Sequence, residues 1–298
     1  MRVLVTGGTG YLGRAIVAAL AAAGHDVALY ARSASASGLP CRAFDGDIRD
    51  GERLFAAADG CEGVLHVAAL VATWARRSRD FDDVNVGGLG QVLDVARRRN
   101  VGRVVYTSSF MALAPAGGAV ASRAAGRGAP IIRLYPGVIY GPGPVTEGNL
   151  IGGMVAHHLK GRLPGLIGAG RIWSFSFVDD VAAAHVAALE SGVPGARYLL
   201  GGEDAPQMRV FDIVRSLTGR RQPRRIPDWV ASPVALAYEL RASWFGVPPL
   251  LTTGTLEILL RDWPLGHERA ADELGYRVTP LETGIARLVH AIQAAAYA

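Results

Sequence analysis

The sequence predicts an α/β fold, a doubly wound parallel sheet with a smaller and mostly helical domain beside it. Three observations carry this. Short apolar runs alternate with segments of helical periodicity through the first 140 residues, the pattern of successive βαβ units. A glycine-rich stretch, "TGGTGYLG" (6–13), joins the first apolar run directly to the first helical segment. After "PIIRLYPGVIYGPG" (130–143) Gly and Pro become frequent, and the later segments read as helices carrying Trp229, Trp244 and Trp263.

The elements follow in order. "RVLVTG" (2–7) is a short apolar run closed by glycine, which marks a buried strand. "YLGRAIVAALAAAGH" has helical periodicity, with Gly24 where a C-terminal cap belongs. "DVALYAR" (26–32) reads as a second strand, 49–58 as a helix and "GVLHVAAL" (63–70) as a third strand. "VNVGGLGQVLDVARRRN" is helical in its second half, and "RVVYTSS" (103–109) is a fourth strand. "WSFSFVDDVAAAHVAALESG" returns a strand and a helix to the main layer. The division is a nucleotide-binding domain over 1–140, re-entered at about 175–200, and a smaller substrate-binding domain over 141–174 and 201–298.

Composition narrows the function classes. The 298 residues are 50% apolar and 19% charged, enough for a full core and against disorder. No apolar run is long enough to span a bilayer, so no membrane partner is expected. The chain runs from Met1 straight into strand pattern, so no signal peptide is expected and the cytoplasm is the expected location. Cys41 and Cys61 are too few for a disulfide framework or a zinc site, and no metal is expected. The net charge of +5 comes from separate arginine clusters (76–79, 97–99, 220–225) without interleaved aromatics, so they read as solvated surface and not as a nucleic-acid face. Lys160 is the sole lysine among 31 basic residues, so lysine chemistry has one candidate.

The glycine loop has a specific physical reading. Gly7 permits a tight turn, Gly10 lets the backbone approach a pyrophosphate, and Gly13 allows close helix–strand contact. The helix opened by Tyr11 and Leu12 then offers free N–H groups and a partial positive charge to the phosphates. The end of the second strand carries Arg32 and Ser33 where an NAD site commonly has an acid. Arginine pairs bidentately with a 2′-phosphate, which favours NADP(H) over NAD(H).

With "TGGTGYLG", "GDIRD" (46–50), "HVAA" (66–69), "YTSS" (106–109) and "YPGVIYGPG" (135–143), in this order, the chain resembles the extended short-chain dehydrogenase/reductase family (the NAD-dependent epimerase/dehydratase superfamily), closest to its dihydroflavonol 4-reductase-like branch. The resemblance covers nearly the whole chain. It implies that Asp47 and Ile48 flank the adenine, that Val67, Ala68 and Ala69 line the middle of the cofactor, and that Pro136, Gly137, Val138 and Ile139 lie near the nicotinamide. His66 reads as a buried strand residue. A homodimer is common in that family.

The family's proton transfer uses a serine, a tyrosine and a lysine, the last two spaced YxxxK so that both face one side of a helix. The serine is present: Ser109 matches the motif position first, Ser108 second. The pair is absent. No tyrosine occurs in 107–134, and Lys160 lies beyond the next strand. Between the two strands Pro115, Gly117 and Gly118 take up the first part of the crossover, leaving "AVASRAAGR" (119–127) for barely two helical turns. Tyr135 and Tyr140, at the end of the following strand, are the candidate substitutes, although Tyr140 also fits the structural tyrosine of the family's "YGP" turn. The readings left open are an NADP(H)-binding protein acting on a small apolar carbonyl compound with altered or lost reductase chemistry, a cyclase or isomerase, a cofactor-occupied sensor, and a chain from which a segment has been deleted.

Overall fold

The structure, a computed structural model, describes residues 1–71, 79–113, 131–146, 148–245 and 251–297. Six strands of the first half, β1 (Arg2–Thr6), β2 (Asp26–Ala31), β3 (Arg42–Asp45), β4 (Gly63–His66), β5 (Arg103–Thr107) and β6 (Ile131–Pro136), form the main sheet. β7 (Val138–Tyr140), β8 (Leu166–Ile167) and β9 (Ile172–Phe177) lie outside it, and β10 (Arg197–Leu200) rejoins it. The spatial order is β10-β6-β5-β4-β1-β2-β3, and every pair is parallel. The order reverses between β1 and β4, which opens a crevice at the carboxyl ends of those two strands. The doubly wound Rossmann-type sheet expected from the alternation is therefore present.

Helices cover both faces because the strands are apolar on both. On one face α1 (Tyr11–Ala22) is buried through Leu12, Ile16, Val17 and Leu20. On the other, α2 (Gly51–Ala57) and α3 (Gly88–Arg98) pack Leu54, Val92 and Val95 against Val64, Val104 and Ile131. Asp50 caps α2 by accepting from the Arg53 N–H at 3.1 Å. The structure departs from the sequence expectations at three points. β3 was not foreseen, because "RAFD" is an exposed edge strand without an apolar run. The third strand ends at His66 and not Leu70, since Asn85 captures the departing backbone. Residues 82–87 form a π-helical turn leading into α3. The expected short helix over 119–127 lies outside the described residues.

The second unit begins with β7 and α4 (Leu150–Leu159). β9 leads into α5 (Val178–Ser191), which returns to pack beside α1 on the main sheet. β11 (Glu203–Pro206), β9 and β7 make a three-stranded sheet, and β12 (Arg225–Ile226) pairs with β8. α6 (Gln207–Thr218), α7 (Asp228–Phe245), α8 (Thr253–Leu259), α9 (Glu268–Leu274) and α10 (Leu281–Tyr297) complete the chain. Its core gathers Tyr140, Trp173, Phe175, Phe177, Phe211 and Ile285. α9, in the span assigned to the smaller domain, packs Ala270 and Leu274 onto the core of the main sheet. Trp263 belongs to no helix; it bridges the backbone of Trp173 beside β9. His158 reads from its neighbours as helix surface, but it is buried edge-on against Phe211.

Candidate active site

The glycine loop closes the crevice at the end of β1. Gly7 has φ +75°, a left-handed conformation that L side chains rarely adopt, and an added Cβ would lie 2.6 Å from the Ala68 backbone. Gly13 is tighter still: its Cβ would meet the Gly7 carbonyl oxygen at 2.2 Å. So the loop after β1, the loop after β4 and the start of α1 touch backbone to backbone. Gly10 caps α1 without a side-chain hydrogen bond, which leaves the first N–H groups of the helix available to an anion. This cradle fits a dinucleotide pyrophosphate. Tyr11 and Leu12 contribute differently, since both side chains are buried. The Tyr11 hydroxyl donates to the Gly141 carbonyl at 3.1 Å, tying α1 to the loop that follows β7.

Arg32 and Ser33 stand exposed at the end of β2. The nearby Asp47 carboxylate is already committed, accepting from Arg49 Nε and Nη2 at 2.7 Å each. That bidentate bond, the Arg49 backbone N–H and the charges of Arg49 and Arg32 hold Asp47 down to about 2, so it stays ionised. Ile48 is buried against Gly88. Val67 and Ala68 are half-buried and Ala69 is exposed along the loop after β4. Asn85 pins that loop, accepting from the Leu70 N–H at 2.7 Å and donating to its carbonyl at 3.3 Å. Sequence reasoning missed Asn85; its signal was a lone amide between two valines, "VNV", at the head of a helix.

Two threonine–histidine pairs lie beneath the site. Thr6, the last residue of β1, has its Oγ1 2.7 Å from His66 Nδ1. Thr107, the last residue of β5, has its Oγ1 2.8 Å from His185 Nε2. His185 Nδ1 donates to the Val181 carbonyl at 2.7 Å, so its Nε2 accepts from the Thr107 hydroxyl. Both imidazoles are buried, and desolvation drives each down to about 4. Both are neutral near pH 7. His66 is a strand residue stacked on Tyr106.

The serines follow Thr107 directly. The Ser108 N–H donates to the Leu134 carbonyl at 2.8 Å, extending the ladder between β5 and β6. Ser109 Oγ accepts from the Met111 N–H at 3.3 Å within a short turn over Phe110–Leu113. Both serines are half-buried. Pro136 and Gly137 are buried, an added Cβ on Gly137 lying 2.6 Å from the Ser174 carbonyl oxygen, whereas Val138 and Ile139 are partly exposed. Tyr140 sits in the core of the second unit at 0% exposure, between Phe175 and Phe177, and Gly284 leaves room for its hydroxyl. Burial raises it well above the ordinary tyrosine range, and the hydroxyl has no partner among the described residues. The crossover between Leu113 and Ile131 lies outside the described residues.

Exposed apolar side chains follow these strands: Val71 in the loop after β4, Met111 and Leu113 in the turn after β5, Val145 in the loop after β7 and Leu150 at the start of α4. Among the described residues no three His, Cys, Asp or Glu side chains form a metal-binding group.

The family described as NAD dependent epimerase/dehydratase matches residues 3–120. The chain is 32% identical to sterol demethylase protein B of Methylococcus capsulatus, covering 79% of this chain and 80% of that protein. It is 26% identical to a putative dihydroflavonol 4-reductase of Synechocystis, covering 97% of this chain and 94% of that one. That alignment runs to 325 positions against the 298 residues here, so the relative carries stretches with no counterpart in this chain. The fold superposes on a Thermus thermophilus UDP-glucose 4-epimerase solved with NAD at a TM-score of 0.75, with 25% identity, covering 99% of this chain and 100% of that one.

Proposed function

The chain belongs to the NAD dependent epimerase/dehydratase family, and we propose that within it the protein is an NADP(H)-binding oxidoreductase-type member whose pocket takes a small apolar carbonyl compound and whose proton-transfer chemistry is altered. The observation that carries this reading is the contrast between an intact glycine cradle and a chain without a YxxxK motif: its single lysine, Lys160, is preceded four residues earlier by Ala156. When bound, the nicotinamide would supply or accept a hydride. Gly7, Gly10 and Gly13 hold the pyrophosphate on the head of α1, and Arg32 with Ser33 receives the 2′-phosphate. The exposed apolar side chains that follow β4, β5 and β7 (Val71, Met111, Leu113, Val145 and Leu150) would offer an apolar surface to such a substrate.

Ser109 donates its hydroxyl hydrogen to the substrate carbonyl oxygen and orients it; Ser108 is the second candidate for that role. Without a tyrosine–lysine pair, the proton for a developing alkoxide comes from water, and turnover is correspondingly slow. A non-redox step on the same scaffold, such as cyclisation or isomerisation, or a sensor role is the second reading, favoured by the same missing pair. Fluorescence titration with NADPH tests the shared premise, and absence of binding overturns both readings. Consumption of NADPH with small alicyclic or aromatic ketones separates them. Ser109→Ala, losing one hydrogen bond to the substrate carbonyl, should then lower turnover by on the order of tenfold while leaving NADPH affinity unchanged; an unchanged rate removes Ser109 from the chemistry.

A further inference from the structure

The basic side chains of this protein fall into two populations. In the first hundred residues Arg2, Arg49, Arg53, Arg97 and Arg99 each lie within 4.0 Å of a carboxylate. Six exposed cations of the second unit do not. Among the described residues Lys160, Arg162, Arg220, Arg221, Arg224 and Arg225 make no ion pair and no side-chain hydrogen bond. They come from two stretches that the fold lays side by side. β8 pairs with β12, and the Leu166 N–H donates to the Arg224 carbonyl at 2.8 Å. Arg220 packs over Gly161, where an added Cβ would lie 2.8 Å from its guanidinium.

No acidic residue occurs in 148–178 or in 213–227. The flanking acids are engaged: Asp212 accepts from the Gln222 amide, and Asp228 pairs with Arg171 at 3.7 Å. Beside the cations stand large apolar side chains in water. Leu217, at the end of α6, is 45% exposed; Trp229, in the first turn of α7, is 78% exposed and Leu236, two turns on, is 53% exposed. The opposite face of α7 is anchored by the buried Ala231 and Ala235.

Unpaired cations rimmed by exposed tryptophan and leucine match the chemistry of an anionic bilayer surface, where arginines meet head groups and an indole sits at the level of the acyl boundary. We propose that this face docks the protein peripherally on anionic phospholipid membranes, the six cations among the head groups and Trp229 with Leu217 in the interface. Nucleic acid shares the charge preference, but it offers no apolar layer for Leu217 and Leu236. The sequence expectation of no membrane partner rested on the lack of a spanning run, and no helix among the described residues is long and apolar enough to cross a bilayer. Lying on a membrane is a different demand. The proposal does not depend on the cofactor reading.

Co-sedimentation of the full chain with vesicles tests it. Binding to mixed phosphatidylcholine–phosphatidylglycerol vesicles should exceed binding to phosphatidylcholine alone by at least about tenfold, and should weaken as salt is raised. Replacing Arg220, Arg221, Arg224 and Arg225 together by glutamine should reduce it by at least about tenfold. Trp229→Ala should reduce the part that survives high salt. A thermal melt matching the parent shows that each variant is folded; if a variant does not fold, the salt and lipid dependence of the parent decides alone. Equal binding to both vesicle types, no binding, a quadruple variant that binds like the parent, or binding to duplex DNA but not to vesicles would each overturn the proposal.

Discussion

The two halves of the site rest on the same kind of footing and carry different superstructures. β1 ends in Thr6 against the buried His66, and β5 ends in Thr107 against the buried His185. Above Thr6 the chain continues into a glycine loop with backbone contacts so close that almost nothing else fits. Above Thr107 it continues into two half-buried serines and a crossover with neither tyrosine nor lysine. The difference teaches that cofactor binding and proton transfer are separable demands on one scaffold. On the proposed reading the first is met by backbone geometry, which the glycines of the loop permit. The second needs particular side chains on a helix of sufficient length, and the sequence between β5 and β6 carries neither tyrosine nor lysine.

The largest effect should come from breaking the intact half. Gly13→Val places a branched side chain where even one Cβ would lie 2.2 Å from the Gly7 carbonyl oxygen. Backbone on both sides cannot yield cheaply, so NADPH affinity should fall on the order of a hundredfold and the melting temperature by several degrees. Isothermal titration and a thermal melt read the two effects. If NADPH binds the variant as tightly as the parent, the cradle is not where the cofactor sits.

Acid should load the two footings alike. Each histidine is neutral in the folded protein with its protonation held down to about 4, whereas the unfolded chain takes up the proton near the ordinary value of about 6.5. Below that value the unfolded state therefore binds more protons, so stability is complete above about pH 6.5 and is lost as pH falls toward 4. Between pH 7 and 5 the loss should be roughly 2 kcal/mol for each histidine. Urea unfolding at the two pH values measures it, and His66→Gln and His185→Gln should each reduce the difference by a similar amount, roughly 2 kcal/mol. Unequal shares would break the likeness of the two footings.

The sheet was legible because buried parallel strands are continuous apolar runs and helices alternate with them, as at "RVLVTG" and "YLGRAIVAALAAAGH". The glycine loop was legible because a turn that brings backbone against backbone leaves glycine as the residue that fits. β3 was hidden because an edge strand exposed along "RAFD" has no apolar signature. Trp263 was misplaced because a tryptophan beside helical segments looks the same whether it lies in a helix or bridges a strand. The Thr6–His66 and Thr107–His185 pairs are long-range contacts 60 and 78 residues apart, and no local pattern announces them. Asn85 and the burial of His158 are of the same kind: each is decided by what lies across the fold.

Arg32 offers a smaller and more selective test of the cofactor half. Its guanidinium is exposed and Asp47 is occupied by Arg49, so the charge is available to a 2′-phosphate. A hydrogen bond to such a charged group is worth about 1.5–3 kcal/mol, so Arg32→Ser should weaken NADPH by roughly ten- to a hundredfold while NADH affinity stays the same. A parallel loss for both nucleotides would mean that Arg32 supports the loop and does not select the cofactor.

The smallest effect is expected at Tyr140, where the comparison is sharpest. A tyrosine replacing the missing proton donor must present its hydroxyl to the substrate, yet this one lies at 0% exposure with Gly284 against it and has no partner among the described residues. Burial raises it above the ordinary tyrosine range, which opposes ionisation. A buried hydroxyl without a hydrogen bond adds little to stability, and its removal leaves the ring packing with Phe175 and Phe177 in place. Tyr140→Phe should therefore change stability by less than about 1 kcal/mol, in either direction, and leave any measured turnover and its pH profile unaltered. A turnover that collapses while the melting temperature holds would return Tyr140 to the chemistry and place the proton donor on β7.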